Sequence, residues 1–370
     1  GTKINSISTN NPAFVRLCKV LGASVGLFEF LSREPASLEL FLQDPELPTG
    51  GSSLTLLTNA ASSVSQIRVA YRNQLLKIAI FDVSSQDPVG QVGLVAESLA
   101  DLAAAAIEAG LVLARSELSD KANPVNFPKQ DVANTRIAVI GMGKCGAREL
   151  NYISDVDVIY VAEPVSSEIE TDRALEIATK VCSRMMRIMD QPDSEPALWQ
   201  VDANLRPEGK AGALVRSLDS HKTYYERWAE SWEFQALLKA RPIAGDAELG
   251  NEYLAVTEPM VWESTARDNF VESVQRMRQL VTDNIPFDEV EAQIKLGPGG
   301  LRDIEFTVQL LQLVHGRTDS SLRSRDTLGA IKALAAGGYI AREDGKRFSD
   351  HYRFLRLLEH RIQLSQLRRT

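Results

Sequence analysis

The chain has 370 residues, of which 44% are hydrophobic and 24% are charged, a composition typical of a folded globular protein and unlike that of a disordered or membrane-spanning one. Because this length exceeds the usual size of one hydrophobic core, we expect two or three packed units. The 49 acidic residues outnumber the 41 basic ones and give a net charge of -8, which argues against a general nucleic-acid binder.

The cysteines and the N-terminal sequence favour a reducing compartment. Three widely spaced cysteines form no C-x-x-C pair, so neither a disulfide framework nor a zinc site is predicted. The first 30 residues lack a basic stretch followed by an apolar run, and the most apolar later segment, residues 101–114, contains Asp101 and Glu108. We therefore expect a cytoplasmic protein with no membrane partner. The opening Gly1 and an amphipathic pattern that runs to the last residues suggest a piece of a larger protein.

Helical periodicity dominates the first third of the chain. Apolar residues recur at helical spacing over residues 13–118, and a turn-rich stretch at 45–53 interrupts them. Two prolines within residues 123–130 then precede the first strong strand pattern. We predict a helical N-terminal region over residues 1–130.

Strand and helix patterns alternate in the middle of the chain, which predicts a unit built on a small sheet over residues 131–245. Helical periodicity returns after this unit and predicts a C-terminal helical region over residues 246–370. The predicted strands are residues 136–140, 156–161, 198–205 and 212–217, and the predicted helices of the middle unit are residues 145–151 and 168–189.

A glycine-rich turn follows the first predicted strand. Residues 141–146, GMGKCG, match the G-x-G-x-x-G pattern of dinucleotide-binding folds, and Glu163 lies about 20 residues further on, as that pattern requires. A crossover between parallel strands needs a dozen or more residues, however, and the short helix predicted here is too small to cross a sheet. The spacing therefore argues against an NAD site. A Walker A site is excluded because its G-x-x-x-x-G-K-[ST] pattern is absent.

Two aspartates mark the start of the second predicted strand. Asp155 and Asp157 are two residues apart, so on a strand both side chains point to one face, where they can share a divalent ion. Mg2+ prefers oxygen ligands and leaves its other positions to water and substrate phosphates. A lone D-x-D pair is more simply explained as solvated aspartates at a strand entrance, but the nearby glycine turn favours a metal site here.

A third carboxylate and a cation follow in the next strand pattern, WQVDANLRPEG. Asp202 would complete a metal-binding set, and Arg206 is predicted to lie on the same face and to neutralise phosphate charge. Glycines in the turn would let main-chain N–H groups approach a phosphate closely. The sequence thus predicts a phosphate-transfer site that uses Mg2+, with Mn2+ as the alternative ion.

Two further segments have open interpretations. In GPGGLRDIEF, Arg302, Asp303 and Glu305 either contact a substrate or form a capped and charged helix start. Trp228 and Trp232 are expected to pack within the protein rather than to stack on adenine.

The motifs resemble those of the nucleotidyltransferase superfamily, and specifically the bifunctional glutamine synthetase adenylyltransferase/adenylyl-removing enzymes. The segments that carry the resemblance are GMGKCGARELNYISDVDVIYV, VDANLRPEGKAGALVRS, YYERWAESWEFQALLKARPIAG and GPGGLRDIEFTVQLLQLVHG. The resemblance implies an α+β, mostly helical fold, in which a small mixed-sheet, polymerase beta-like catalytic domain over residues 131–245 is flanked by helical regions. The implied catalytic and metal-binding residues are Asp155, Asp157 and Asp202, and the implied nucleotide-binding residues are Gly141, Gly143, Lys144, Ser154 and Arg206.

The resemblance also implies an activity. Members of this family contain two related domains, of which the N-terminal one removes AMP from a glutamine synthetase tyrosine and the C-terminal one attaches it. Met142 resembles the removing domain, because the attaching domain tends to have an aromatic residue at this position. The implied reaction is phosphorolysis of adenylyl-tyrosine to tyrosine and ADP, with glutamine synthetase as protein substrate and the PII signalling protein as a candidate regulator. Two alternatives stay open, namely transfer of AMP from ATP to the tyrosine and a non-catalytic regulatory module.

Overall fold

Helices precede and follow a small sheet in the computed structural model, which describes residues 12–266 and 293–367. The helices before the sheet are α1 (Pro12–Ala23), α2 (Val25–Arg33), α3 (Gly50–Asn59), α4 (Val64–Ser84), α5 (Pro88–Leu118) and α6 (Lys129–Ala133). The helices after it are α11 (Ala247–Glu263), α12 (Leu301–Gly316), α13 (Thr327–Ala336) and α14 (Arg342–Gln366). Among the described helices, none combines the length and the apolar composition needed to cross a bilayer.

The middle of the chain contains five strands and four helices. The strands are β1 (Thr135–Gly141), β2 (Val156–Pro164), β3 (Val201–Asp202), β4 (Val215–Arg216) and β5 (Arg241–Gly245). The helices are α7 (Gly143–Gly146), α8 (Thr171–Asp190), α9 (Leu218–Arg227) and α10 (Ser231–Leu237). The predicted α+β, mostly helical fold class is confirmed.

The sheet is mixed, with β1 and β2 at its centre. β2 pairs antiparallel with β1, which places Gly141 opposite Val158, and β1 also pairs antiparallel with β5. On its other side β2 pairs in parallel with β3 and, further along, with β4. Because β1 and β2 are antiparallel, no crossover connects them, and the argument against a dinucleotide-binding fold is confirmed.

Two predicted elements are shorter than expected. The strand predicted over residues 198–205 is a strand only at Val201–Asp202, because the Asp202 carboxylate accepts a hydrogen bond from the Asn204 N–H (2.7 Å) and turns the chain. The helix predicted over residues 145–151 ends at Gly146, shortly before Arg148 adopts a left-handed conformation (φ 58°). Both errors arise from side-chain and backbone turns that hydrophobic periodicity does not report.

Residues of β1 alternate between two hydrophobic cores on opposite faces of the sheet. Ile137 and Val139 pack in a core that includes residues of α4, α5 and α8, whereas Ala138 and Ile140 pack with residues of α9, α10 and α11. A third core joins α12, α13 and α14. The N-terminal helices therefore share a core with one face of the sheet, and the predicted division at residues 130 and 245 stays a prediction.

His221 in α9 gives the fold a dependence on pH. Burial lowers the pKa of this side chain to about 4 from an ordinary value of 6.5, although its Nε2 lies 3.2 Å from the Tyr160 carbonyl oxygen. The unfolded chain therefore binds a proton at this residue more readily than the folded chain. The stability from neutral His221 is fully present above pH 6.5 and is lost as the pH falls towards 4, by up to about 3 kcal/mol.

We expect the free energy of unfolding to fall less steeply between pH 6.5 and 4.5 in His221→Gln than in the unchanged chain. Urea unfolding at a series of pH values measures this slope. The matched control is His351→Gln, which changes an exposed histidine and should keep the original slope. Equal slopes for His221→Gln and the unchanged chain would contradict the assignment.

Candidate active site

Two of the predicted aspartates lie side by side at the start of the sheet. Asp157 in β2 and Asp202 in β3 are register partners on neighbouring parallel strands, so their side chains share one face. Asp155 lies directly before β2. Burial, and after it the nearby Asp202 carboxylate, raises the pKa of Asp157 to about 6. The strands thus concentrate negative charge at one edge of the site.

The glycine turn lies against this carboxylate pair. Gly143 has a φ of 51°, and a Cβ atom at this position would lie 2.7 Å from the Asp157 Oδ2. The Met142 N–H donates a hydrogen bond to the Asp157 carbonyl oxygen (2.8 Å), which fixes the turn to β2. Glycine is therefore required at residue 143 both by the backbone conformation and by the close approach of Asp157.

Gly143→Ala should disturb the site because the new methyl group would displace the Asp157 carboxylate. We expect the activity proposed below to fall about 100-fold, as for a misplacement of reacting groups by about 1 Å, and stability to fall by about 1–2 kcal/mol. ADP release and urea unfolding measure the two effects. Gly22→Ala is the matched control, because a Cβ atom there meets nothing within 4 Å. Full activity of Gly143→Ala would show that the contact with Asp157 is unimportant.

A cavity of about 310 Å3 opens beside Asp157, and we call it the aspartate cavity. Three other predicted site residues, Gly143, Lys144 and Ser154, also line it. The opposite side is formed by α10, by α12 and by the segment that leads into α12. The lining residues from that side include Trp232, Gln235, Lys239, Lys295, Arg302, Glu305 and Phe306.

Cationic side chains lie around Asp157 in this cavity. Lys295, Arg302 and Lys144 all lower the pKa of Asp157, against the larger effect of its burial. The Arg302 Nε is buried and has no hydrogen-bond partner among the described residues, and its guanidinium carbon lies 5.7 Å from the centre of the Phe306 ring. A buried donor of this kind is stabilised by an anionic ligand such as phosphate.

Lys144 is held by the last long helix of the chain. Its Nζ lies 3.0 Å from the Glu359 Oε2 in α14, and burial, followed by repulsion from Arg356, lowers its pKa to about 8. Lys239 forms a second buried ion pair with Glu149 (3.0 Å). Lys144 and Lys239 are thus neutralised by carboxylates, whereas the Arg302 side chain forms no ion pair with a described residue.

Among the predicted nucleotide-binding residues, Gly141 and Arg206 do not line the aspartate cavity, and neither do the predicted metal ligands Asp155 and Asp202. A Cβ atom at Gly141 would lie 2.8 Å from the Ile243 Cγ2, so this glycine allows β1 and β5 to pack closely. The Arg206 guanidinium donates hydrogen bonds to the carbonyl oxygens of Ala203 (2.8 Å), Gly212 (3.2 Å) and Lys210 (3.3 Å). Its predicted position on a strand beside Asp202 is wrong because β3 ends at Asp202, and the phosphate-binding role of both residues stays a prediction.

The residues of GPGGLRDIEF and the two tryptophans have different surroundings. Arg302 and Glu305 line the aspartate cavity, whereas Asp303 accepts a hydrogen bond from the Gly299 N–H (2.7 Å) at the start of α12. Trp232 lines the cavity as well, and Trp228 is 72% exposed, so the prediction that it packs within the protein is wrong. The segment GPGGLRDIEF thus contributes both a charged helix start and part of the cavity wall.

A family model described as glutamate-ammonia ligase adenylyltransferase matches residues 14–256, which is more than half of the chain. The chain belongs to this family. The match confirms the resemblance carried by the glycine turn and the D-x-D segment. A second model, described as GlnD PII-uridylyltransferase, matches residues 272–370 of this family member.

Curated relatives cover nearly all of the chain. A protein of Leifsonia xyli subsp. xyli is 53% identical over 369 residues, and one of Streptomyces avermitilis is 52% identical over 370 residues. Both are named bifunctional glutamine synthetase adenylyltransferase/adenylyl-removing enzyme. The alignments cover 96% and 99% of this chain but 36% of each relative, so this family member spans about a third of their length.

The residues of the site fit a divalent ion that is shared with a ligand. Within residues 12–266 and 293–367, no group of three or more aspartate, glutamate, histidine or cysteine side chains is arranged to hold a metal ion. Asp157 and Asp202 nevertheless lie in register, and their mutual repulsion is relieved when a cation lies between them. Mg2+ in phosphate-transfer sites is commonly bound by one or two carboxylates and by substrate phosphates, which matches this pair.

Proposed function

We propose that this chain removes AMP from an adenylylated tyrosine of glutamine synthetase by phosphorolysis. An oxygen of inorganic phosphate attacks the α-phosphorus of the adenylyl group and forms the new phosphoanhydride bond of ADP. The bond between that phosphorus and the tyrosyl oxygen breaks, and the oxygen leaves with the electron pair and takes up a proton. Both parts of the relatives' printed name concern this protein substrate, and the removing activity is one of the two that it states.

The observation that carries the proposal is the pairing of Asp157 with Asp202 opposite a cationic wall. Phosphoryl and nucleotidyl transfer are catalysed mainly by positioning and by stabilisation of negative charge, so a site needs both carboxylates for metal and cations for phosphate. Arg302 and Lys295 lie on the far side of the aspartate cavity and lower the pKa of Asp157 through their charge. We place the attacking phosphate and the adenylyl phosphate between these groups in the proposed complex.

Residues in and beside the aspartate cavity have proposed roles. Asp157 and Asp202 would hold Mg2+, or Mn2+ as the alternative, together with substrate phosphates, and Asp155 is the proposed third ligand. The bound ion would supply charge stabilisation as the tyrosyl oxygen leaves. Arg302 and Lys295 bind the attacking phosphate, and the buried Nε of Arg302 gains the acceptor that it needs. Gly143 and Ser154 contact the adenylyl phosphate, while Trp232 and Phe306 supply aromatic surface for the adenine ring.

The tyrosine leaving group does not need to be protonated by a strong acid as it departs. A tyrosine side chain has an ordinary pKa of about 10, so a phenolate leaves more easily than an aliphatic alkoxide. Cations at the site stabilise the charge that develops on its oxygen, and no strong general acid is required. Cys145, inside the turn, is unsuited to nucleophilic chemistry because burial raises the pKa of its thiol to about 12.

The direction of reaction rests on the resemblance at Met142. This side chain is buried in the core that contains Ile140 and Ile159, so an aromatic residue in its place would require repacking next to the turn. Attachment of AMP from ATP is the second candidate, since the relatives' name includes it as well. The match of residues 272–370 to a PII-uridylyltransferase model supports the PII protein as a further proposed partner.

The proposal is tested by incubating the chain with adenylylated glutamine synthetase, Mg2+ and inorganic phosphate and measuring ADP. We expect ADP to form only when both phosphate and the divalent ion are present. AMP-tyrosine formed from ATP, with no ADP released from the adenylylated substrate, would assign the attaching reaction instead. If neither ADP nor AMP-tyrosine forms but the chain still binds nucleotide, a non-catalytic regulatory module is favoured.

A further inference from the structure

A second cleft of about 600 Å3 lies beside the glycine turn and shares no lining residue with the aspartate cavity. It lies between α5, the segment Gly146–Glu149 and the C-terminal helices. We call it the arginine cleft, because its lining includes Arg148, Arg241, Arg323, Arg325, Arg353 and Arg356.

The acidic residues of the arginine cleft are already engaged by the protein. Glu97 forms an ion pair with Arg148, and Glu149 pairs with Lys239 outside the cleft (3.0 Å). Asp326 accepts hydrogen bonds from the Gly329 N–H and the Ser324 hydroxyl, both at 2.6 Å, and thereby caps α13. Arg148 also pairs with Asp101, and Arg356 pairs with Glu359. The four other arginines of the cleft have no carboxylate partner within residues 12–266 and 293–367, so the cleft has an excess of positive charge.

Several of these arginines have donors available to a ligand. The Arg353 side chain forms no hydrogen bond or ion pair with any residue in the described part of the chain. Arg325 uses its Nε to donate to the Ala240 carbonyl oxygen (2.8 Å), and within residues 12–266 and 293–367 its two terminal nitrogens have no acceptor. Arg325 is exposed and Arg353 is half-buried, so a ligand that enters the cleft can reach both.

A clustering of guanidinium groups without carboxylate partners is costly unless anions are bound. Burial, and in addition the charges of Arg148 and Arg325, act to lower the pKa of Arg241. The planar guanidinium fork matches two phosphate oxygens at once, and several forks around one cavity favour a ligand with more than one phosphate group. The volume of the cleft lies in the range of small-molecule sites.

We propose that the arginine cleft binds a small ligand that carries two or more phosphate groups. This site is separate from the reaction proposed above, and its existence does not depend on that reaction. It lies close to the catalytic turn, because Arg241 donates hydrogen bonds from the cleft to the carbonyl oxygens of Cys145 and Gly146 (both 3.0 Å). Glu149 in the cleft wall also holds Lys239, which lines the aspartate cavity.

Calorimetric titration with inorganic pyrophosphate, in EDTA so that no divalent ion is available to the aspartate cavity, tests the proposal. We expect binding to the unchanged chain and an affinity at least about tenfold weaker in the double variant Arg325→Ala/Arg353→Ala. Arg347→Ala is the matched control, since it removes an exposed arginine of α14 outside the cleft. Arg302→Ala is the second control, because it removes a cation of the aspartate cavity instead.

The results distinguish pyrophosphate binding in the arginine cleft from binding in the aspartate cavity. Binding that is weakened in the double variant and retained in Arg347→Ala and Arg302→Ala supports the arginine cleft. Absence of pyrophosphate binding by the unchanged chain, equal affinity in the double variant, or loss of binding in Arg302→Ala alone would overturn the proposal. The single variant Arg353→Gln, which keeps a polar side chain but removes the guanidinium charge, should weaken binding as well. A thermal melt of each variant checks that it is folded.

Discussion

Asp157→Asn is expected to slow ADP release from adenylylated glutamine synthetase by about a thousandfold, because it removes one of the two paired carboxylates proposed to bind the metal ion. Asparagine preserves the shape of the side chain and its place next to Asp202, so the cavity should keep its form. Burial and the neighbouring carboxylate already disfavour a negative charge at this residue. The melting temperature should therefore not fall, and the loss of activity would not be a loss of folding.

Asp172→Asn is the matched control for this experiment. Asp172 is an exposed aspartate in the first turn of α8, remote from the aspartate cavity, so its variant should keep the original rate. Asp155→Asn and Asp202→Asn should also slow the reaction, since both residues are proposed to share the metal ion. A rate for Asp157→Asn within a factor of about two of the unchanged chain would rule out the proposed site.

Arg356→Ala is expected to have the largest effect on stability among the variants described. The Arg356 side chain is 2% exposed and donates hydrogen bonds to the carbonyl oxygens of Glu149 (2.6 Å) and Leu150 (3.2 Å). It also pairs with Glu359 (2.6 Å), so its removal breaks a buried ion pair and leaves main-chain acceptors unsatisfied. Such losses cost about 3–5 kcal/mol, and we expect about 3 because Lys144 still neutralises Glu359.

Urea unfolding of Arg356→Ala measures this loss, with Arg347→Ala as the control on the same helix. Arg347 is exposed and pairs with Glu343 at 3.3 Å, so its replacement should change stability by less than about 0.5 kcal/mol. Equal unfolding midpoints for the two variants would show that the contacts of Arg356 do not hold α14 to Glu149 and Leu150.

The parts of the site that could be predicted are those formed by residues close together in the sequence. Gly143, Asp155 and Asp157 lie within 15 residues of each other, and strand alternation with turn chemistry is enough to bring them together. The argument from chain length against a dinucleotide fold holds for the same reason, since the antiparallel pairing of β1 and β2 needs only a short connection. The place of Asp202 beside Asp157 was predictable because the strand pattern is correct at Val201–Asp202.

The opposite wall of the cavity could not be predicted from pattern alone. Lys239 and Arg302 reach the site through the packing of α10 and α12 against the sheet, and no local periodicity reports that contact. Arg206, by contrast, was predicted on a strand beside Asp202 but does not lie on one. The prediction required a strand that the turn at Asn204 ends. Tertiary packing and side-chain turns therefore decide which cations face the aspartates.

The most direct test of the account uses phosphate labelled with 32P in the reaction with adenylylated glutamine synthetase. If phosphate attacks the α-phosphorus, the label must appear as the β-phosphate of ADP, one label for each tyrosine released. The label should be absent from ADP with Asp157→Asn and present with Asp172→Asn. Release of unlabelled AMP would contradict phosphorolysis and indicate hydrolysis, and retention of AMP on the tyrosine would contradict the removing activity altogether.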